Sequence, residues 1–378
     1  MNVKLQVPEA NARQRVPSAL YWQSRFFDAT KTVWKQLADI ESWALADEIV
    51  GQSVNRPVYV CGLARSGTTV VTEMLNAHQD LTSHRYSDFP NVYTPYWRNW
   101  LLQRGRMGEA QAVERAHQDG LWVTQDSPEA VEEVLWNYFF PQIHDSESDQ
   151  RLTQATNNAA FERFYREHIA KLLLVREAPR YLAKGNYNIS RVGYISKIFP
   201  DARFVIPIRH PVNHIVSLYK QHLLFMQLQQ HDKRTAQQLV MSGHFEFGPQ
   251  RRCPNLGDSS ITQQINDSWS RGDELQGWAL MWRQAYGQVQ QYLEDPDLQE
   301  QVMLLRYEDL CGEPQSCIDV ILSHTGLPAE PFAAAREHYQ SILKPPNYYH
   351  FDIDDAILEE IWDTVAPVAE SFGYSRPL

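Results

Sequence analysis

An α/β fold, a parallel sheet covered by helices on both faces with helical additions, follows from three observations on this 378-residue sequence. Three short apolar runs, VYVCGL (58–63), FVIPIR (204–209) and VMLLRY (302–307), are bounded by polar or turn-forming residues, as strands are. Stretches with apolar residues at helical spacing separate them. The runs are apolar throughout rather than on alternate residues, which marks strands buried on both faces and joined by helical crossovers. No repeat, low-complexity tract or linker interrupts the chain. It reads as a single α/β domain, with an N-terminal helical segment (1–50), a core (56–310) and a C-terminal helical segment (311–378).

Residues 17–50 carry apolar residues at helical spacing and are predicted as helices packed beside the core. The run at 58–63 is the first strand, closed by a glycine loop. TTVVTEMLNA (68–77) then reads as helix, so strand, tight loop and helix make one βα unit. A long helical middle is predicted over 108–175. The second βα unit is FVIPIR, the break at His210-Pro211, and a helix from VNHIVSLYKQH onward, with proline in its first turn. Residues 242–262, rich in Gly, Pro and polar groups, are predicted as a long functional loop. A helix over 273–294 leads to the third strand, and Pro345 to Leu378, with PPNYYHF and a short helix, closes the chain.

Composition removes several functional classes. Lys plus Arg total 35 against 46 Asp plus Glu, a net charge of −11. A nucleic-acid binder needs a basic face to displace counterions, so nucleic acid is an unexpected partner. The cysteines Cys61, Cys253, Cys311 and Cys317 form no C-x-x-C pair and no zinc spacing with histidine, so no metal is expected. They read as reduced thiols of a cytoplasmic protein, with Cys61 buried in a strand. The opening MNVKLQVPEANARQ lacks the apolar centre of a signal peptide, and no run of about 18 apolar residues offers a membrane span.

The chemistry concentrates in Gly62-Leu63-Ala64-Arg65-Ser66-Gly67-Thr68-Thr69. Glycine, four residues, glycine and two hydroxyls give the spacing of the phosphate-binding P-loop, with Thr68 in the lysine's place. Such a turn aims successive backbone N–H groups at one anion, and the following helix adds its positive N-terminal end. Ser66, Gly67, Thr68 and Thr69 are therefore candidate anion ligands. A triphosphate needs lysine and Mg²⁺ at this place. A sulfuryl group carries less charge, and Arg65 could serve it without metal.

GLARSGTT resembles the 5′-phosphosulfate loop of sulfotransferases that use 3′-phosphoadenylyl sulfate, most nearly the P-R-S-G-T-T form of tyrosylprotein and bacterial enzymes. A second stretch, FVIPIRHPVNHIVSLYKQH, resembles the family's 3′-phosphate motif. Arg209 and Ser217 keep its separation and Pro211 keeps its place. The resemblance implies a P-loop-NTPase-like sheet, 3′-phosphoadenylyl sulfate as co-substrate and adenosine 3′,5′-bisphosphate as product. It also implies that Arg209 and Ser217 grip the 3′-phosphate. LRYED (305–309) resembles a family strand end that places Tyr307 near the nucleotide, and Lys184 in PRYLAKGNYN resembles a lysine beside the sulfate bridge. There are departures. His210 replaces an aspartate, Gln221 beside Lys220 replaces a second phosphate-binding arginine, and Tyr86 stands where tyrosylprotein enzymes carry a catalytic glutamate.

Sulfuryl transfer to a hydroxyl requires an acceptor for its proton. Asp88 and His84, in the segment 81–95 after the first helix, are the candidates. Asp88 is preferred because a carboxylate beside Arg65 would stay ionised. His244, Arg251 and Arg252 are candidates for binding an acidic acceptor or closing over the co-substrate, and the aromatic VYTPYWRNW (92–100) for lining an acceptor cleft. The expected acceptor is a small-molecule, glycan or lipid hydroxyl. A divergent P-loop kinase or NTPase, or a nucleotide-binding protein without activity, are the alternatives.

Overall fold

The computed structural model of the chain describes residues 15–104, 112–114, 122–344 and 353–377. Helices α1 (Ser18–Ala29), α2 (Lys31–Ala44) and α3 (Ala46–Gly51) come first, then strand β1 (Val58–Val60), helix α4 (Thr68–Asn76) and strand β2 (Leu81–Thr82). Helix α5 (Pro95–Arg104), a short antiparallel hairpin of β3 (Val113–Glu114) and β4 (Trp122–Val123), and helices α6 (Glu133–Phe139) and α7 (Ala159–Arg176) fill the middle. Strand β5 (Arg180–Lys184), α8 (Val192–Ile198), strand β6 (Arg203–Ile208), α9 (Pro211–His231), α10 (Arg234–Met241), α11 (Ser259–Ser270) and α12 (Glu274–Glu294) follow. Strand β7 (Val302–Arg306) and helices α13 (Tyr307–Gly312), α14 (Pro314–Thr325), α15 (Ala333–Ile342) and α16 (Asp355–Ala369) complete the order.

The main sheet has five strands in the order β2-β5-β1-β6-β7, and every pairing is parallel. Side chains alternate between its faces, as the pleat requires. Tyr59, Cys61, Phe204, Ile206 and Ile208 pack into one core with Leu172, Ile195, Ile215 and Trp282. Val58, Val60, Leu182, Val205 and Leu305 pack into a second core with Val71, Leu75, Ile318 and Leu322. Both faces are thus covered, which is why the strands show no polar alternation. Among the described residues no helix is long and apolar enough to cross a membrane.

Two elements differ from expectation. The helical middle is broken: α6 and α7 are helices, but a hairpin precedes them and irregular chain links them. Residues 105–111 and 115–121 of that stretch lie outside the described residues, as does the whole of PPNYYHF (345–351). The irregular part contains Pro141 and the polar run HDSESDQ, which favour turns over helix. The sequence also concealed β5. RYLAK has the composition of a helix, and only its place between β2 and β1 makes it a strand.

Register decides what gathers at one edge. Val60 lies level with Lys184 on one side and Val205 on the other, and Ile208 lies level with Arg306. The carboxyl ends of β1, β5, β6 and β7 therefore present the glycine loop, Lys184, Arg209 and Tyr307 to the same cleft, the ordinary place for a ligand in an open parallel sheet.

Candidate active site

The glycine loop leaves β1 through Gly62 (φ 152°) and enters α4 from Gly67 (φ 108°). Between them Arg65 also takes a left-handed conformation (φ 70°), which an L-residue adopts at a cost. A Cβ on Gly67 would fall 2.5 Å from Cδ2 of Tyr307, so the tyrosine ring lies directly against the loop. The ring of Tyr307 braces the turn. His214 of α9 braces the loop from another side, its Nε2 lying 2.8 Å from the carbonyl oxygen of Ala64.

Both anion motifs meet here. Arg65 Nε donates to Ser217 Oγ at 3.3 Å across 152 positions of sequence. Lys220, one turn further along α9, is half-buried. Burial first, and the charge of Arg65 second, push its ammonium below the ordinary lysine value. Lys220 thus stands close to the loop arginine and supplies a cation where the family's second arginine is replaced by Gln221, which is buried. Arg209 follows β6 directly, and its charge is felt at both His214 and Tyr307. Arg65, Lys220 and Arg209 form a positive cluster in a chain of net charge −11, so the cleft can concentrate an anion that the molecule as a whole repels.

On the other flank lies a chain of polar contacts. Thr68 Oγ1 donates to Asn186 Oδ1 at 3.4 Å, and Asn186 Nδ2 donates to Glu246 Oε1 at 3.1 Å. Glu246 Oε2 faces His244 Nδ1 at 3.6 Å. Lys184 Nζ lies 3.5 Å from Glu129 Oε1. Lys184, the last residue of β5, is thus paired. Asn186, Glu246 and Glu129 were missed because no motif marks them. Asn186 ends the Lys184-Gly185-Asn186 turn, while Glu129 and Glu246 come from segments far apart in sequence.

Asp88 and His84, the expected proton acceptors, lie buried together in a polar cluster of their own. Asp88 is 1% exposed. It receives Arg176 Nη2 at 2.7 and 2.9 Å, Asn99 Nδ2 at 3.2 Å and the Arg85 backbone N–H at 3.0 Å, and lies 2.9 Å from His84 Nδ1. Burial alone would raise its carboxyl, but the His84 hydrogen bond and the Arg176 charge outweigh burial and hold it far below the usual carboxylate range. The other ring nitrogen of His84 faces His168 Nε2 at 2.9 Å. A carboxylate so weakly basic and so enclosed pins residues 84–88 to α5 and α7.

The remaining expected residues also divide. Arg251 forms a forked pair with Glu274 (2.7 and 3.1 Å) and stacks 3.8 Å over Trp269, while Arg252 lies 4.4 Å over Phe245. Both anchor the 242–258 loop. His244, by contrast, keeps 33% of its side chain exposed. From the aromatic stretch, Val92 and Tyr93 are buried in a small core with Ala38, Leu135 and Phe164, while Trp100 stays partly exposed under Arg104.

The family model described as the sulfotransferase family matches residues 57–244, a span that holds the glycine loop, Lys184, Arg209 and Ser217. Among solved structures, sulfotransferase STF9 from Mycobacterium avium aligns with a TM-score of 0.52 and 14% identity, covering 89% of this chain and 82% of that one. Sulfotransferase STF1 from Mycobacterium tuberculosis H37Rv aligns with a TM-score of 0.48 and 14% identity, covering 88% and 81%. No curated protein matches the chain. At 14% identity the likeness to STF9 speaks for the shared fold alone.

Proposed function

Because the chain belongs to the sulfotransferase family, we propose that it moves a sulfuryl group from 3′-phosphoadenylyl sulfate to a hydroxyl acceptor. The observation that carries this reading is the Arg65–Ser217 contact of 3.3 Å. One residue belongs to the loop that fits a 5′-phosphosulfate and the other to the motif that fits a 3′-phosphate, and they touch. A site reading two phosphates of one small nucleotide needs that proximity.

The residues present suit such a donor, which supplies sulfur already bonded to a good leaving group. The glycine turn of 62–67 lets backbone N–H groups converge on an anion, and Thr68 and Thr69 stand at the start of α4, where its dipole is positive. Arg65 would hold the bridging oxygen and stabilise charge building there in the transition state. Lys184 would assist on the β5 side. Arg209, Ser217 and Lys220 would take the 3′-phosphate, with the arginine fork supplying paired hydrogen bonds. Thr68 in the lysine position, and a second strand ending in Arg209 rather than an acidic residue, run against a Mg²⁺-triphosphate reading.

Calorimetry with adenosine 3′,5′-bisphosphate and with ADP plus Mg²⁺ tests the proposal. The bisphosphate should bind at least about tenfold more tightly, and Arg209→Ala should weaken it about 10- to 100-fold, the loss of one charge-assisted phosphate contact. Preference for the Mg²⁺-nucleotide would overturn the reading in favour of phosphoryl chemistry.

A further inference from the structure

With Asp88 and His84 enclosed and fully occupied by protein partners, the proton of the acceptor hydroxyl needs another destination. Three ionisable groups lie around Lys184 on the flank of the cleft: Glu129, Glu246 and His244. Each carboxylate is tied down. Glu129 pairs with Lys184, and Glu246 accepts from Asn186, which itself accepts from Thr68 at the first residue of α4. Burial would raise both carboxyls. The Lys184 and His244 charges outweigh it at Glu129, the His244 contact outweighs it at Glu246, and each is held at about 2. Groups so acidic are poor bases and good anchors. His244 is the opposite case. Burial would lower its pKa and Lys184 adds to that, but the hydrogen bond and charge of Glu246, with the charge of Glu129, outweigh both and raise it.

The backbone under His244 is fixed. Its N–H donates to Leu239 O at 2.8 Å, and the next residue, Phe245, donates to Tyr187 Oη at 2.7 Å. Gly243 before it has φ 78° and sits so close to Glu133 that a Cβ would fall 2.6 Å from that residue's Cβ. Glu133 is itself satisfied by Arg191 and His144, at 2.7 and 2.6 Å, so it adds no free charge. A base held by a rigid turn, oriented by a carboxylate on one ring nitrogen and open to solvent, is prepared for proton transfer.

We propose that His244 is the general base of the sulfuryl transfer, with Nδ1 held toward Glu246 and Nε2 turned to the acceptor hydroxyl; this rests on the donor reading above. The acceptor oxygen bonds to sulfur as the bond from sulfur to the 5′-phosphate oxygen breaks. Its electron pair leaves on adenosine 3′,5′-bisphosphate, and the hydroxyl proton passes to Nε2 and then to water. Glu246 is a positioning residue. It faces the base at 3.6 Å and reaches Thr68 through Asn186, so the base and the anion loop share one polar frame.

Two measurements test this. Histidine NMR of the protein alone should show one resonance titrating above the ordinary value of about 6.5, missing in His244→Gln and shifted downward in Glu246→Gln; no such resonance overturns the proposal. Transfer of labelled sulfuryl to water and to 2-naphthol should fall about 100-fold or more in His244→Gln, with adenosine 3′,5′-bisphosphate affinity unchanged. The wild-type acid limb should move to lower pH in Glu246→Gln, and added imidazole should restore part of the rate to His244→Ala. Turnover within threefold of wild type in His244→Gln overturns the base assignment while leaving the donor reading intact. A wild-type chain that fails to bind the bisphosphate refutes the donor reading instead.

Discussion

At the scale of single residues, charge and burial assign roles that residue type alone cannot. Asp88 and His244 are both residue types that can take a proton, and their surroundings separate them. Asp88 is 1% exposed and ringed by donors. Removing its charge should therefore damage stability before chemistry. Asp88→Asn leaves Arg176 buried without its anion and should cost about 3–5 kcal/mol in urea unfolding. Because the folded pKa of Asp88 is depressed, its contribution is complete above the unfolded value of about 3.9 and is lost as pH falls below that toward the folded value. The stability difference between wild type and Asp88→Asn should accordingly be constant near neutrality and shrink in strong acid. The sequence made the chemistry of Asp88 visible and its enclosure invisible, since Arg176 lies 88 positions away.

At the scale of elements, the glycine loop was legible almost in full. Two glycines with four residues between them, a preceding strand and a following helix are local signals, and the structure places all of them where the spacing required. The partner of Gly67 was not legible. Tyr307, at the far end of the core, fills the space where a Cβ would go, at 2.5 Å. Gly67→Ala meets both this clash and an unfavourable left-handed φ. It should displace the loop from Tyr307 and abolish measurable bisphosphate binding, with a modest fall in melting temperature; calorimetry and thermal unfolding together check this. Strand β5 was illegible for the converse reason. Of its five residues only Tyr181 favours a strand, and they become one because β1 and β2 offer parallel edges on either side.

At the scale of the whole molecule, buried polar links fasten the outer helices to the sheet layer. Lys171 of α7 and Glu41 of α2 form an ion pair at 2.9 Å with neither side chain exposed. Glu41 also accepts the backbone N–H of Trp97 at 2.7 Å, so the pair joins three helical segments. Breaking it from one side should be costly, and replacing both partners should not be. Lys171→Met is expected to destabilise by about 3–5 kcal/mol, whereas Lys171→Met combined with Glu41→Leu should regain much of that loss. Chemical denaturation of the three variants measures the difference. The C-terminal segment is tied in similarly, with Tyr374 Oη donating to Glu308 Oε2 at 2.9 Å while the His210 backbone N–H donates to Glu308 Oε1 at 2.9 Å. Glu308 thus holds the chain beside Arg209.

The anion loop, the Arg209–Ser217 spacing and the apolar strands were set by the sequence alone, because each depends on neighbours within about two helical turns. A glycine's freedom, a dipole at a helix start and a continuous apolar run act locally, so they can be read in order along the chain. Tertiary structure alone decided which ionisable groups share the cleft. Glu129, Lys184 and the His244–Glu246 turn come from three separate segments, and Glu129, His244 and Glu246 take their protonation from one another and from Lys184 across a few ångströms of low-dielectric space. Coulombic coupling depends on separation in space, and the fold is what sets that separation.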